Sequence, residues 1–120
     1  MQRGVIFGRT VEMQGSPYTL LVFKREFGEN LTSFIVDAYK QEEADIECFL
    51  RIAWAMAKTY DEDTTDYERW LEEFDADAFN LAEGQAAFGV ITSAVNAELF
   101  RERPTRWERF KLGLASRLLR

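Results

Sequence analysis

The acidic stretch that follows Tyr60 comes closest to the spacing of a metal site. Counted from Asp61, the first, third and twelfth positions of a calcium-binding EF-hand loop fall on Asp61, Asp63 and Glu72, and these positions normally supply carboxylate ligands. The sixth position, which should be glycine for the sharp turn, is Asp66, and the ninth is a cation. We therefore interpret the stretch as a solvated loop before a helix, and we expect no metal and no cofactor.

The other reactive side chains do not form a catalytic group. The chain has no histidine, which excludes Ser-His-Asp and Cys-His arrangements and removes the commonest general base. Cys48 lies among helix-forming residues with no activating partner, so we expect an inert thiol. Carboxylate pairs such as Glu72-Glu73 are typical of charge around helix ends. With no phosphate-binding loop either, the sequence predicts a protein that is not an enzyme and has no small-molecule substrate.

Length and composition indicate one compact domain over residues 1–120. Hydrophobic residues make up 47% of the chain and aromatic residues 14%, which is enough to build a core. A single cysteine cannot form an intrachain disulfide, as is common in a reducing compartment. No apolar run approaches the ~20 residues of a membrane span, and no signal peptide is recognisable. We therefore expect a cytoplasmic protein without a membrane partner.

The charge is unevenly distributed along the chain. Residues 101–120 contain seven basic and two acidic side chains, a net charge of +5, whereas the first hundred contain 8 basic and 19 acidic ones, a net charge of −11. The acidic body makes nucleic acid an unlikely partner, because DNA and RNA binding needs a positive surface. Opposite charges on the two parts favour self-association, or two faces for different partners.

The elements expected to carry these residues begin with an N-terminal β-hairpin over residues 5–23. Residues 5–13 and 18–23 are rich in strand-forming types, and Gly15 and Pro17 between them are typical of a turn. Because two strands alone are marginally stable, the hairpin should pack on helices or on another subunit.

Helical spacing predicts that residues 30–120 are helical. Asn30 is a candidate N-cap for a helix to about Gln41. The clearest apolar stripe follows, on Ile46, Phe49, Leu50, Ala53, Trp54, Ala57 and Tyr60. Thr65 and Glu68 have capping-box spacing for the next helix. Together with the hairpin and the C-terminal half, this gives an α+β fold, a mostly helical single domain with about five helices.

Two further helices are expected in the C-terminal half. The first runs from about Phe79 to Arg101, and its Gly84 and Gly89 weaken it or permit close packing. The second is a basic helix over residues 105–119, which begins after Pro104. Its candidate partner-binding residues are Arg106, Trp107, Arg109, Phe110, Leu114 and Leu118.

This basic helix has three interpretations. It could bind nucleic acid or an anionic membrane surface. It could bind an acidic partner or another copy of the chain, since aromatic residues and arginine are enriched at protein interfaces. It could also dock on its own core through Trp107 and Phe110, leaving the arginines exposed.

Three segments of the chain resemble the tail assembly chaperones of long-tailed bacteriophages and prophages. Residues 15–28 are similar to the opening segment of that family, with its "reFG" turn in Arg25-Glu26-Phe27-Gly28. Residues 49–60 are similar to its alanine-rich helix with a tryptophan, and residues 66–71 to its aromatic "fexWl" helix. With the closing helices, the resemblance spans nearly the whole chain.

The resemblance implies a non-enzymatic protein of the bacterial host cytoplasm that binds the tape measure protein and keeps it soluble during tail assembly. It also implies self-association and a longer form made by ribosomal frameshifting. The hypothesis places the partner contact on the basic helix around Trp107 and Phe110. The alternative is a small phage regulatory or DNA-associated protein that uses the same helix, and a structural head or tail component is a third possibility.

Overall fold

Helix α3 is the centre of the fold, and the hairpin and the other helices surround it. The computed structural model describes residues 1–43 and 45–100. In chain order these form β1 (Gln2–Ile6), β2 (Arg9–Met13), α1 (Pro17–Phe27), α2 (Leu31–Lys40), α3 (Ile46–Tyr60), α4 (Tyr67–Glu72) and α5 (Gly84–Glu98), with short 3₁₀ turns at Ala76–Ala78 and Leu81–Glu83. The α+β class, the mostly helical content and the N-terminal hairpin are confirmed.

The hairpin lies closer to the N-terminus than expected. β1 and β2 are antiparallel, with Gln2 opposite Met13 and Ile6 opposite Arg9. The turn is Phe7-Gly8, and both residues have positive φ, 46° and 78°, as a two-residue turn of type I′ requires. The prediction treated residues 5–13 as one strand from their strand-forming residue types. Phenylalanine is rare at such a turn position. For this reason the turn at Phe7-Gly8 was not predicted from the sequence.

The second predicted strand, residues 18–23, is wrong: these residues belong to α1. The Ser16 hydroxyl accepts a hydrogen bond from the backbone N–H of Tyr18, and the Thr19 hydroxyl accepts one from that of Ser16. This is a capping box with Pro17 in the first turn, a position that proline favours. Local capping and the burial of Thr19, Val22 and Phe23 on one helical face therefore outweigh the strand preferences of the segment.

The predictions for α2 and α3 are confirmed in their main features. Asn30 caps α2 by accepting a hydrogen bond from the backbone N–H of Ser33 at 3.1 Å. In α3, burial extends beyond the predicted stripe to Ile52, Ala55 and Met56, which have no exposed surface. Tyr60, expected on the core stripe, is instead 43% exposed, because it is the last residue of the helix.

The predicted start of α4 is wrong by one residue. Asp66 is the N-cap, and its carboxylate accepts a hydrogen bond from the backbone N–H of Arg69 at 3.0 Å. The Thr65 hydroxyl instead donates to Glu73 at 2.6 Å. Aspartate at the position after Thr65 caps the helix equally well, so the capping-box spacing to Glu68 misled the prediction.

Helix α5 is shorter than the predicted span from Phe79 to Arg101. The residues before it form the two 3₁₀ turns, which are started by side-chain caps from Asp75 and Asn80. Gly84 is buried, and a side chain there would make ordinary contact with Ile46, whereas Gly89 faces open space. Close packing through glycine is therefore not required at either position.

The hairpin packs on α3 and α5, and one continuous core joins all the elements. At Gly4 in β1 a side chain would collide with Val90, so glycine permits the close approach of β1 to α5.

Among the described helices, none is long and apolar enough to cross a bilayer. The predicted helix over residues 105–119 lies outside the described residues.

Candidate protein-binding groove

An apolar groove lies where α1, α2 and the end of α5 meet. Its volume is about 340 Å³, and its apolar lining comes from Pro17, Leu20, Leu31, Ile35, Leu99 and Phe100. We call this surface the α1–α2 groove. Its volume is in the range of small-ligand pockets, but its lining is mostly aliphatic, which suits the side chains of another polypeptide segment.

The walls of the groove are set by which sides of α1 and α2 face the core. Helix α1 buries Thr19, Val22 and Phe23, which leaves Leu20 on its outer side, 50% exposed. Helix α2 buries Leu31 and Ile35 almost completely, and these residues form the apolar base of the groove. Because Leu31 and Ile35 are already covered, the apolar surface that a partner could still bury here comes from exposed side chains such as Leu20.

The buried carboxylate of Glu98 stabilises the end of the groove where α5 meets the start of α1. Glu98, at the last turn of α5, accepts a hydrogen bond from the backbone N–H of Gly15 at 3.1 Å. Its second oxygen lies 3.2 Å from the Met1 ammonium. A side chain at position 15 would collide with the carbonyl of Glu98 and with Leu99. The end of the groove is therefore fixed, because the backbone at Gly15, just before α1, lies in direct contact with the backbone at the end of α5.

Additional apolar side chains extend the exposed surface of α1. Tyr18 and Leu21 are 45% and 43% exposed. Ser16, Thr32 and Glu98 are the polar side chains at the groove. Such a mixture of apolar surface and a few polar groups can bury an amphipathic helix.

The three segments that carry the family resemblance converge at a different place. Phe27, from the first segment, makes edge-on contacts with Trp54 at 5.7 Å and with Tyr67 at 5.0 Å between ring centroids. The Trp54 indole N–H donates to the carbonyl of Thr65 at 2.8 Å. We call this cluster of Phe27, Trp54 and Tyr67 the aromatic junction. Its residues stabilise the packing of α1, α3 and α4.

An ion pair covers the aromatic junction. Arg51 donates two hydrogen bonds to the Glu47 carboxylate, at 2.6 and 2.7 Å, and the Tyr67 hydroxyl donates a third at 2.6 Å. The Arg51 hydrogen bond is the main reason that the pKa of Glu47 lies below its ordinary value. Burial, followed by the Glu47 hydrogen bond, raises the pKa of Tyr67. The Arg51 guanidinium also lies 5.4 Å from the Phe27 ring centroid.

Cys48 lies in surroundings that suppress its reactivity. Burial, together with a hydrogen bond to the Asp45 carboxylate at 3.4 Å, raises the pKa of the Cys48 thiol to about 11. Because the thiolate is the reactive form, this environment disfavours nucleophilic chemistry. The geometry agrees with the inert thiol that the sequence predicts.

The acidic stretch after α3 is organised by a lysine. The Lys58 ammonium donates to the backbone carbonyls of Glu62 and Thr64 at 2.5 and 2.7 Å, and the Asp61 carboxylate accepts the N–H of Asp63. Within residues 1–43 and 45–100, no three histidine, cysteine, aspartate or glutamate side chains lie together as a metal site would require. The stretch is a loop into α4, as interpreted from its sequence.

The predicted partner-binding residues lie outside the described part of the chain; they are Arg106, Trp107, Arg109, Phe110, Leu114 and Leu118. The sequence analysis missed the α1–α2 groove, because it treated residues 18–23 as a strand and Leu31 and Ile35 as ordinary core. The Ser16-Pro17 start signal, followed by Thr19 three residues after Ser16, could have identified α1 and its exposed side.

Comparison of the chain with protein-family models, with curated proteins and with solved structures finds no match. The groove and the aromatic junction are therefore interpreted from their own geometry.

Proposed function

We propose that the protein is a phage or prophage tail assembly chaperone, which binds the tape measure protein in the bacterial cytoplasm and keeps it soluble until the tail tube forms. The proposal makes it a binding protein and not an enzyme. The observation that carries the proposal is the α1–α2 groove, an aliphatic recess beside an exposed leucine on an otherwise acidic body. The resemblance of three segments supplies the identity of the partner.

The groove suits the chemistry of such a partner. A tape measure protein has long helices with apolar stripes, and these aggregate unless they are covered. An amphipathic helix could pack one or two apolar side chains against the exposed Leu20, above the buried base formed by Leu31 and Ile35. The remaining acidic surface would keep the complex in solution by charge repulsion between complexes.

The modest size of the groove suits temporary binding. A chaperone must be displaced when tube protein assembles around the tape measure, so its affinity at each site should be moderate. If copies of the chaperone associate with one another, small apolar contacts repeated along a long partner give strong total binding and allow stepwise release. Self-association of the chaperone, or a longer form made by frameshifting, would add further contacts of this kind.

The test is co-expression with the tape measure protein encoded beside it, followed by pull-down from the soluble fraction. We expect the wild type to keep the partner soluble and to co-purify with it. Leu20→Asp should abolish co-purification, because a charge in the groove opposes apolar burial. Leu81→Asp is the matched control, since Leu81 is 76% exposed and does not line the groove; it should behave as the wild type.

Two results would contradict the proposal. The first is a tape measure protein that stays insoluble with the wild type and also with the frameshift-extended form. The second is a purified phage particle that retains the protein, which would indicate a structural component. Salt-sensitive DNA binding would favour the alternative, a regulatory or DNA-associated protein, for which the seven basic residues between 101 and 120 are the supporting observation.

A further inference from the structure

We propose that the outer edge of β1 pairs with the same edge of a second copy of the chain, so that two hairpins form one four-stranded antiparallel sheet. The inference concerns the association of the chain with itself and does not depend on which other partner the protein binds. It assigns this association to one strand and to one register.

The backbone of β1 has hydrogen-bonding groups available for such pairing. A two-residue turn makes the residues that flank it, Ile6 and Arg9, a hydrogen-bonded pair, and bonded and non-bonded pairs alternate from there along the hairpin. The N–H and C=O groups of Arg3 and Val5 therefore point away from β2. In the part of the chain that the structure describes, these outward groups have no hydrogen-bond partner. Such an open edge can accept another strand.

The outer edge of β2 is flanked by helices instead. Thr10 and Glu12, whose backbone groups point outward on that side, line a recess of about 190 Å³ together with Tyr60 of α3 and Trp70 of α4. Arg9 also joins this side of the hairpin to α4, because it donates to the Trp70 carbonyl at 3.2 Å. A further strand therefore has access to the sheet at β1.

The side chains of β1 favour a second copy as the occupant. Val5 is 57% exposed and Arg3 is also exposed, because both lie on the opposite face of the sheet from Gly4, which packs on α5. Residues 1–11 contain two arginines and no acidic side chain, in a protein with 21 acids. Two copies of this acidic protein therefore repel each other least at β1.

Only one two-fold register uses both outward residues. With Gly4 on the axis, Arg3 lies opposite the partner's Val5 and Val5 opposite the partner's Arg3, which gives four backbone hydrogen bonds. Centring the pair on Arg3 places two arginines opposite each other, which is destabilising. Centring it on Val5 places Arg3 opposite the partner's Phe7, which lies in the turn with a φ of 46°. The Gly4-centred register also lets the apolar stem of Arg3 cover the partner's Val5.

Cysteine cross-linking tests the edge and its register. In a Cys48→Ala background, Arg3→Cys protein is mixed with Val5→Cys protein under a mild oxidant. We expect the mixed dimer to form several-fold faster than either variant cross-links with itself, because Cα atoms paired in this way are about 5.5 Å apart, within the range of a disulfide. Thr10→Cys mixed with Glu12→Cys, on β2, is the matched control and should cross-link slowly.

Two cross-linking results would overturn the proposal. Faster cross-linking of Val5→Cys or of Arg3→Cys with itself would show a different register. A mixture that reacts no faster than the β2 control would show that the edge of β1 does not pair.

Sedimentation equilibrium tests the backbone contact without added cysteines. One strand pair buries little surface, so the dimer should be transient and should form between micromolar and millimolar concentrations. Val5→Pro removes an N–H that points away from β2, at an edge position where proline is tolerated. It takes away two of the four intermolecular hydrogen bonds, so we expect the dimer dissociation constant to rise at least about ten-fold. Val5→Thr keeps the N–H and should keep the dimer.

Urea unfolding of Val5→Pro checks that the hairpin and the helices are still folded. Equal association of the wild type and folded Val5→Pro would overturn the proposal, as would a wild type that stays monomeric at millimolar concentration.

Discussion

Glu98 and Gly15 are hydrogen-bonded across 83 residues of sequence, and the bond joins the end of α5 to the segment before α1. The carboxylate that accepts this bond is buried, and its other oxygen contacts the Met1 ammonium. The backbone approach at Gly15 leaves no space for a side chain. One end of the α1–α2 groove is thus set by a polar contact inside an apolar region.

Gly15→Ala should therefore destabilise the protein by about 2 kcal/mol, because the added methyl group forces the two backbones apart. The free energy of unfolding, measured by urea denaturation, gives the value. Gly89→Ala is the control: Gly89 is within α5 and faces open space. That change should stabilise the protein by about 0.5 to 1 kcal/mol, since alanine favours the helix. Equal effects of the two substitutions would contradict the close approach.

Tyr67→Phe should lower the free energy of unfolding by about 1 kcal/mol, because it removes the hydrogen bond to Glu47 and leaves the ring in place. Urea denaturation of both proteins measures the difference. Tyr18→Phe, at an exposed position on α1, is the control and should have little effect.

The same ion pair predicts a pH dependence. Arg51 lowers the pKa of Glu47 below its ordinary value of 4.5, so the folded state favours the charged carboxylate. This stabilisation is present above pH 4.5 and is lost as the pH falls through the lower pKa of the folded state. Because the pair is partly exposed, the effect should be small. Acid titrations of stability should show a smaller loss in Glu47→Gln than in the wild type.

Cys48 should react slowly with alkylating reagents while the protein is folded. A pKa of about 11 against an ordinary value of 9.0 corresponds to roughly 100-fold less thiolate near neutral pH. Alkylation rates with iodoacetamide, measured against pH, should rise with a midpoint near 11 in the native protein and near 9 in urea. A native midpoint near 9 would show that burial and Asp45 do not act on the thiol as described.

Arg9→Lys should destabilise the contact between the hairpin and α4. The Arg9 guanidinium lies 5.5 Å from the Trp70 ring and 4.8 Å from the Phe74 ring, and it also donates to the Trp70 carbonyl. Lysine cannot reproduce this planar stacking, and we expect a loss of about 1 kcal/mol. Arg3→Lys is the control, because Arg3 forms an exposed ion pair with Glu12. Thermal or urea unfolding measures both.

Where local signals act alone, the sequence predicted the fold correctly. Asn30 caps α2 because its side chain satisfies an amide of the first turn, and this requires no tertiary contact. Helix α3 was recognised from its spacing, although its burial on nearly all sides could not be. That burial depends on which elements pack around it, and spacing within one helix carries no such information.

The sequence misled where two local signals competed. Residues 18–23 favour a strand by composition, yet Ser16 and Pro17 start a helix whose buried face is completed by packing on α3. The groove was missed for the same reason, since Leu20 becomes an exposed groove residue only when α1 is a helix. The turn at Phe7-Gly8 depends on a conformation that phenylalanine rarely adopts.

The packing of β1 on α5 has a consequence for folding during synthesis. Residues 2–6 are made at the beginning of translation, but the helix that covers them spans residues 84–98. β2 can pack on α3 once residues 46–60 are made, but β1 must wait without its α5 partner while the ribosome adds some eighty more residues, which takes on the order of 4 to 16 seconds. Nascent chains that stop before α5 should be targets for cellular proteases and for general chaperones.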